Sequence, residues 1–219
     1  MPSLENDDPL GAYVENIRAC RICVEQPQGP PLPHEPRPVL RVSATARLLI
    51  AGQAPGVRVH ASGLPFDDAS GDRLRQWMGL SRETFYDPSR VAIAPMGFCF
   101  PGHDAAGGDR PPRRECRARW HDGLFALTPG IEIILAVGRP AQDYHCARLG
   151  RPLPKNLALG DIVRRLFVDQ AKTPRLIALP HPSWRNSGWL KRNPWFDQEI
   201  VPRLREVVAE ALDSCFGAL

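Results

Sequence analysis

The sequence predicts a three-layer α/β/α sandwich built around a central four-stranded parallel sheet. Four short apolar runs are separated by segments in which apolar residues recur at helical spacing. Strands that alternate with helices in this way are typical of parallel sheets covered by helices on both faces. The length of 219 residues and the hydrophobic content of 43% allow one substantial core, so residues 1–219 are expected to form a single domain.

The order of elements follows from apolar spacing along the chain. The predicted strands are apolar runs short enough to be buried in a sheet, at residues 47–52, 91–97, 131–138 and 175–179. The predicted helices carry one apolar face each, at residues 8–23, 68–80, 114–127, 139–149, 156–168 and 196–212. Pro202 is expected to bend the last helix near its first turns. The proline-rich residues 26–38 predict an extended segment wrapped across the surface.

Composition narrows the classes of function only slightly. Lys and Arg number 28 against 24 Asp and Glu, a net charge of +4, which is compatible with a polyanionic partner but is common among soluble proteins. No apolar run approaches the roughly 20 residues of a membrane span, and residues 1–9 lack the basic and apolar regions of a signal peptide. We therefore expect a cytoplasmic monomer with no membrane partner.

The loop His181-Pro-Ser-Trp-Arg-Asn186 directly follows the last predicted strand. Open α/β sheets bind ligands beyond the carboxyl ends of their strands, so a chemically active imidazole is expected at a ligand site. Aromatic and cationic side chains that could contact nucleic acid lie in this loop and just after it, namely Trp184, Arg185, Lys191 and Arg192. A surface histidine on a proline-rich loop is the alternative interpretation.

A second ligand-binding turn is predicted at the end of the first strand. There the chain runs into Gln53-Ala54-Pro55-Gly56, where small residues let backbone amides approach a ligand.

The cysteines suggest a metal centre. Cys20 and Cys23 form a Cys-x-x-Cys pair, and Cys99 and Cys116 follow around a loop rich in glycine and proline. Taken alone, four such cysteines could bind an iron–sulfur cluster, bind structural zinc, or be unrelated thiols. The two remaining cysteines, Cys146 and Cys215, are interpreted as core thiols.

Together these motifs resemble those of the uracil-DNA glycosylase superfamily, in particular its iron–sulfur branches, families 4 and 5. The matching elements, in order along residues 20–186, are Gly52-Gln-Ala-Pro-Gly56, Gly63-Leu-Pro-Phe66 with Asp67-Asp-Ala-Ser-Gly71, the four cysteines, and His181-Pro-Ser183. The resemblance implies a parallel sheet between helices, which agrees with the apolar runs. It also implies that Cys20, Cys23, Cys99 and Cys116 hold a structural [4Fe–4S] cluster, and that no nucleotide cofactor is needed.

The resemblance further implies the functions of individual residues. His181 would donate a hydrogen bond to the uracil oxygen, and Phe66 would stack on the flipped base, although an aromatic residue at a loop end can also be core. Other contacts to the base are implied for Gly52, Ala54 and Asn186. Contacts to DNA are implied for Pro55, Gly56, Ser183, Trp184, Arg185, Lys191 and Arg192, of which Arg185 or a neighbour would enter the gap left by the base.

Two departures from the family pattern affect catalysis and specificity. Gln53 stands where family 4 has a glutamate, and an amide cannot be a general base. Asp68 matches the aspartate of the family 5 segment Asp-Ala-Ser-Gly, so it is the predicted water activator, with Asp67 as the alternative. An aspartate at this position could instead only cap the following helix. Pro95 replaces the asparagine with which family 4 reads uracil, as in family 5, which predicts a broader choice of deaminated bases.

The resulting prediction is a monofunctional DNA glycosylase of base excision repair, associated with the nucleoid, that removes uracil and other deaminated bases and leaves an abasic site. One alternative is a non-catalytic or covalent binder of uracil-containing DNA, because Gln53 replaces the glutamate. Another is an iron–sulfur redox or sensor protein on the same fold.

Overall fold

The sheet has the predicted strands in parallel arrangement. A computed structural model describes residues 8–168 and 173–213, so Cys215 lies outside the described residues. The strands are β1 (Leu48–Ala51), β2 (Val91–Ile93), β3 (Ile133–Val137) and β4 (Arg175–Leu179). They pair in the order β2-β1-β3-β4, and every pairing is parallel. The prediction of a four-stranded parallel sheet between helices is confirmed.

The helices surround this sheet in chain order. They are α1 (Pro9–Arg18), α2 (Ile22–Glu25), α3 (Val57–Ser62), α4 (Ala69–Met78), α5 (Arg82–Phe85), α6 (Arg114–Ala126), α7 (Arg139–Arg148), α8 (Leu159–Val168), α9 (Ser187–Arg192) and α10 (Val201–Asp213). A 3₁₀ turn at Trp184–Asn186 precedes α9, and a π-helical segment at Phe196–Ile200 precedes α10. Pro202 is the second residue of α10 and follows the π-helical segment directly, so the wider helical turn lies where this proline has no N–H to donate.

The expected single helix over residues 8–23 is wrong, since α1 and α2 are separate. The buried face of α1 ends at Ile17, and the backbone N–H of Cys20 turns back to the Ile17 carbonyl oxygen at 3.0 Å. Cys20 and Cys23 continue the helical spacing across this break, which is why the two helices look like one in the sequence.

The second strand is shorter than its apolar run of residues 91–97, because Pro95 has no N–H to pair. The chain nevertheless stays beside the first strand. The backbone N–H groups of Met96 and Gly97 donate to the carbonyl oxygens of Gly52 and Gln53 at 3.0 and 2.9 Å. The turn after β1 and the loop after β2 are thereby fixed to each other.

Alternate strand residues pack into two cores, one on each face of the sheet. Leu49 and Ala51 face the core that contains α1 and α6, whereas Leu48 and Ile50 face the core that contains α4 and α10. The layers of the predicted sandwich follow from this alternation. No described helix has the length and hydropathy that crossing a membrane requires.

The segment before β1 covers the outer edge of β2. Arg41 and Ile93 form an antiparallel bridge, with N–H to oxygen distances of 2.9 and 2.6 Å in the two directions. Just before this bridge, the Val39 N–H donates to the Phe98 carbonyl oxygen at 2.7 Å. The segment after residue 38 thus adds one short, irregular antiparallel pairing to the edge of the sheet.

Candidate active-site cleft

A cleft of about 660 Å³ opens at the carboxyl ends of β1 and β4. Its walls include most of the residues that the sequence assigns to base or DNA contact and to catalysis. These are Gly52, Gln53, Ala54, Pro55, Gly56, Phe66, Asp68, His181, Ser183, Trp184, Arg185 and Asn186. Lys191 and Arg192 are not part of the walls, and both lie exposed at the end of α9.

One wall of the cleft is the Phe66 ring, held by an unusual backbone conformation. Phe66 has a φ of 56°, and its carbonyl oxygen accepts a hydrogen bond from the Tyr86 hydroxyl at 3.1 Å. The ring lies against the backbone of Gly52, where an added Cβ would come within 3.2 Å of the ring edge. A glycine at position 52 therefore allows this aromatic surface to line the floor of the cleft.

Asp68 both caps α4 and faces the cleft. Its Oδ1 accepts a hydrogen bond from the Gly71 N–H at 2.9 Å, which is the ordinary N-cap interaction. The carboxylate also lies near enough to His181 to raise the pKa of that imidazole. Capping the helix thus places the charge of Asp68 inside the cleft. The interpretation of Asp68 as a helix cap is therefore compatible with its interpretation as a water activator.

The His181 ring is held with one defined nitrogen available to a ligand. The Ser183 N–H donates to its Nδ1 at 3.3 Å, so in the neutral ring the proton is on Nε2. Burial lowers the pKa of His181 below its usual value. The carboxylates of Asp68 and Asp109 oppose this effect, and Arg185 adds to it. His181 is therefore a neutral hydrogen-bond donor near neutral pH.

Two side chains hold the His181 loop in place. The Asn186 Nδ2 group donates to the His181 carbonyl oxygen at 2.7 Å. From α4, Arg73 donates to the carbonyl oxygens of Pro182 and Ser183 at 3.1 and 3.3 Å. The helix that begins at Asp68 thus also fixes the loop that carries His181.

Gln53 is turned away from the position of a general base. An added Cβ at Gly138 would collide with the Gln53 side-chain amide, so this amide lies against the start of α7. Its backbone carbonyl is occupied by the Gly97 N–H. Gln53 contributes a packed side chain and a fixed turn to the cleft.

Four charged residues of the cleft were not predicted from the sequence, namely Arg58, Arg73, Asp109 and Arg110. Asp109 and Arg110 belong to a loop over residues 102–110 that has no periodic pattern. Arg73 and Arg58 lie on helices whose orientation could not be read from spacing. Of these four residues, only Arg73 could have been predicted from the sequence, because it lies on the helix that Asp68 was expected to cap.

The outer rim of the cleft is aromatic and cationic. Trp184 is 77% exposed, and the Arg185 guanidinium lies 5.7 Å from the centre of its ring. Arg185 also reaches the opposite loop, since an added Cβ at Gly108 would be 3.5 Å from its Nη1. The loops of residues 102–110 and 181–186 therefore meet at the rim.

The four predicted cluster cysteines lie away from the cleft walls, between the N-terminal helices and α6. Burial raises the pKa of Cys23 to about 11 and that of Cys99 to about 12, and charge on neighbouring cysteines adds to both effects. Cys116 is affected in the same way by burial and by the other three. All four thiols are free, whereas Cys146 is buried in the core on α7.

Hydrogen-bond donors point at two of these sulfurs. The Trp120 indole N–H donates to Cys20 Sγ at 3.2 Å, and the Phe98 backbone N–H donates to Cys116 Sγ at 3.4 Å. No three described His, Cys, Asp or Glu side chains are arranged to hold a single metal ion. A [4Fe–4S] cluster takes one cysteine on each iron, so it does not need three ligands at a single ion, and hydrogen bonds to sulfur such as those at Cys20 and Cys116 are among the contacts that tune it.

The family of the chain is shown by a comparison with known proteins. The model of the uracil DNA glycosylase superfamily matches residues 41–205, which is about three quarters of the chain. The matched residues include all four strands, both loops that carry Asp68 and His181, and the loop of Asp109. The chain therefore belongs to the uracil DNA glycosylase superfamily.

Proposed function

We propose that this protein is a DNA glycosylase that flips uracil, and other deaminated bases, out of DNA and hydrolyses the N-glycosidic bond. The observation that supports this most directly is that Asp68 and His181 line one cleft, where the charge of Asp68 raises the pKa of His181. Breaking this bond places positive charge on the sugar and negative charge on the leaving base. A carboxylate and a hydrogen-bond donor in the same cleft match these two needs.

On the base side, His181 stabilises the leaving group. Its Nε2–H is free to donate to a uracil oxygen, because Nδ1 is already occupied by the Ser183 N–H. Negative charge grows on that oxygen as the bond between C1′ and N1 breaks, so the hydrogen bond strengthens in the transition state. A neutral imidazole suffices for this purpose.

On the sugar side, Asp68 orients the attacking water. One oxygen caps α4 at Gly71, which leaves the other oxygen for water. The water oxygen forms the new bond to C1′ while its proton passes to Asp68, and the electron pair of the broken bond leaves with the base. Asp67 does not line the cleft, so it is the weaker candidate.

The remaining walls hold the extruded base and the DNA strand. The Phe66 ring, lying on Gly52, offers a surface on which the base can stack. Trp184 and Arg185 at the rim are placed to contact the duplex and enter the gap that the base leaves. Lys191 and Arg192 on α9 would contact phosphates further along the strand, which predicts that each adds to the salt dependence of DNA binding.

The choice of bases is proposed to extend beyond uracil. Pro95 lines the cleft and offers no amide to select one base edge. Hypoxanthine and xanthine, which are deaminated purines, are the further substrates to test.

The [4Fe–4S] cluster is proposed as a structural group held by Cys20, Cys23, Cys99 and Cys116. Bound there, it would tie the N-terminal helices and the loop after β2 to α6, and it supplies no step of the reaction. The buried positions of Cys23, Cys99 and Cys116 and the N–H donors to sulfur support this assignment.

The first experiment incubates the purified protein with a labelled oligonucleotide that carries one uracil. Alkaline strand cleavage together with free uracil would establish the glycosylase. Asp68→Asn and His181→Ala, treated in parallel, should each lose most of this activity. Uracil-containing DNA that is retained without cleavage or free base would contradict the proposal.

The second candidate function is a binder of uracil-containing DNA, either non-catalytic or covalent. It is favoured by one observation, the Gln53 amide that stands in place of a carboxylate and packs against Gly138. A heat-stable protein–DNA adduct in the same experiment would identify a covalent binder. A retained complex that heat dissociates would identify a non-catalytic one.

A further inference from the structure

An extruded base needs a hydrogen-bond acceptor for its ring N–H. Uracil attached to its sugar has two carbonyl oxygens and one ring N–H, on N3, and a ring N–H that is buried without a partner lowers affinity roughly tenfold or more. The carbonyl oxygens of Gly52 and Gln53 are occupied by the N–H groups of Met96 and Gly97. Pro95 has no polar side-chain atom, and Asp68 is assigned to water.

One carboxylate oxygen of Asp109 lies where an acceptor for the ring N–H of the base is needed. Its Oδ1 lies 3.2 Å from the Nδ1 of His103. Its Oδ2 lies 3.8 Å from where a Cβ on Gly56 would be, in the space that this glycine leaves open beside the ligand-binding turn. The charge of Asp109 also raises the pKa of His181, so the two side chains face the same part of the cleft.

Hydrogen bonds within the loop of residues 102–110 fix the position of Asp109. His103 and Asp109 form an antiparallel bridge, with the Arg110 N–H donating to the Gly102 carbonyl at 2.9 Å. At the tip, the Asp104 carboxylate accepts from the N–H groups of Ala106 and Gly108 at 2.9 and 2.8 Å. The Asp109 carboxylate is thus anchored through both its backbone and His103.

We propose that Asp109 is a specificity-determining residue whose Oδ2 accepts a hydrogen bond from the ring N–H of the extruded base, and that His103 is its positioning residue. This inference rests on the proposed glycosylase function. Uracil, hypoxanthine and xanthine all carry a ring N–H between or beside carbonyl groups. Cytosine and adenine carry a lone pair at the corresponding ring nitrogen, which a carboxylate repels.

The test compares the binding of free uracil with that of 3-methyluracil, in which a methyl group replaces the hydrogen on N3, the ring nitrogen that keeps its hydrogen when the base is attached to DNA. Calorimetry on the full chain measures both without requiring turnover. Wild type should bind uracil at least about tenfold more tightly than 3-methyluracil. Asp109→Ala should bind the two bases equally, whereas Asp109→Asn, which keeps an acceptor oxygen, should retain most of the preference.

Further variants separate recognition from loop structure. His103→Ala should reduce the preference for uracil, and His103→Gln, which can still donate to Asp109, should restore it. Asp143→Ala is the matched control, because Asp143 is an exposed carboxylate paired with Arg139 at 2.7 Å outside the cleft. It should leave the preference unchanged.

Each outcome bears on the inference. An unchanged preference in Asp109→Ala, or a wild type that binds neither base or binds both equally, would overturn it. A wild type that prefers uracil through Asp109 yet releases no base from DNA would uphold it and contradict the glycosylase function instead.

Discussion

Asp67 and Asp68 are neighbours in the chain, but their carboxylates have different partners. The Asp67 Oδ1 accepts from Arg82 at 3.1 Å, and Asp67 is not part of the cleft walls. The Asp68 Oδ1 accepts from the Gly71 N–H, and its charge acts on His181. The start of α4 therefore separates two carboxylates that are equivalent in the sequence.

Asp68→Asn should lower the rate of uracil release by roughly 10²–10⁴-fold, the usual contribution of a general base. The melting temperature should change little, because the asparagine oxygen can still cap α4. Asp67→Asn should stay within about threefold of wild type, since it removes only an exposed ion pair. Single-turnover kinetics of both variants measure this, and equal losses in the two would remove the distinction between them.

The rate of base release should fall on the acid side of neutrality. Burial lowers the pKa of His181 from its usual value of about 6.5, so the ring is neutral at pH 7 and takes up a proton only at lower pH. Protonation puts a hydrogen on Nδ1, which then opposes the Ser183 N–H. Asp109→Asn removes a carboxylate that raises this pKa, so its acid limb should move to lower pH. An acid limb that lies at the same pH in Asp109→Asn as in wild type would contradict this assignment.

Trp120→Phe should weaken the proposed iron–sulfur cluster without removing it. The indole N–H donates to Cys20, the only one of the four cysteines that is not buried, and such outer contacts typically contribute about 10-fold or more to metal retention. Loss of visible absorbance in the presence of a chelator should therefore be about 10-fold faster. Trp77→Phe, in the core on the other face of the sheet, should not change it. Wild type without iron and sulfide would refute the cluster itself.

Gly71→Ala should destabilise the protein although it lies in a helix. Alanine normally stabilises a helix by up to about 1 kcal/mol relative to glycine. Here its Cβ would lie 1.8 Å from the Phe66 carbonyl oxygen, so we expect a loss of about 1–3 kcal/mol and a lower affinity for uracil. Gly160→Ala, in the first turn of α8 with only ordinary contacts to Trp195, should be neutral or stabilising. Urea unfolding of both variants measures whether the change in the free energy of unfolding has opposite sign at positions 71 and 160.

Two buried histidines should make the fold sensitive to acid. Burial lowers the pKa of His121 to about 4, with Arg117 adding to the effect, and lowers that of His145 to about 3, with His121 and Arg148 adding to it. The unfolded chain therefore binds more protons below pH 6.5, and stability falls with decreasing pH. The slope should reach about 1.4 kcal/mol per pH unit for each histidine between pH 6.5 and 4. His121→Phe should reduce it, and an unchanged slope of the urea midpoint would contradict this.

The strands were predictable because apolar runs determine burial directly. All four were placed within a few residues, and the largest error, in β2, comes from Pro95, which is apolar but cannot pair. The short helices α3 and α5 were missed because a few residues carry too little periodicity. The break between α1 and α2 was hidden because Cys20 and Cys23 continue the helical spacing of the apolar residues before them.

The site was predictable where it lies at strand ends and not where it lies in a loop. The Gly52–Gly56 turn and His181 follow apolar runs, so topology alone brings them together. Asp109 lies in a loop stabilised by its own backbone and by Asp104, contacts that leave no pattern in the sequence. Asp68, and not Asp67, faces His181. The direction of the backbone before these two residues is set at Phe66, where φ is positive, and a sequence pattern does not show such a change of direction.

The antiparallel bridge between Arg41 and Ile93 has a consequence for solubility. An open edge strand offers unpaired N–H and C=O groups to any other chain and is a site of aggregation. Residues 39–41 occupy that edge of β2, and the preceding segment leads back to Cys23 through the Leu32 N–H, which donates to the Cys23 carbonyl at 3.2 Å. Proteolytic cleavage between residues 32 and 39 would separate this cover from its anchor at Cys23, and exposure of the β2 edge would favour self-association.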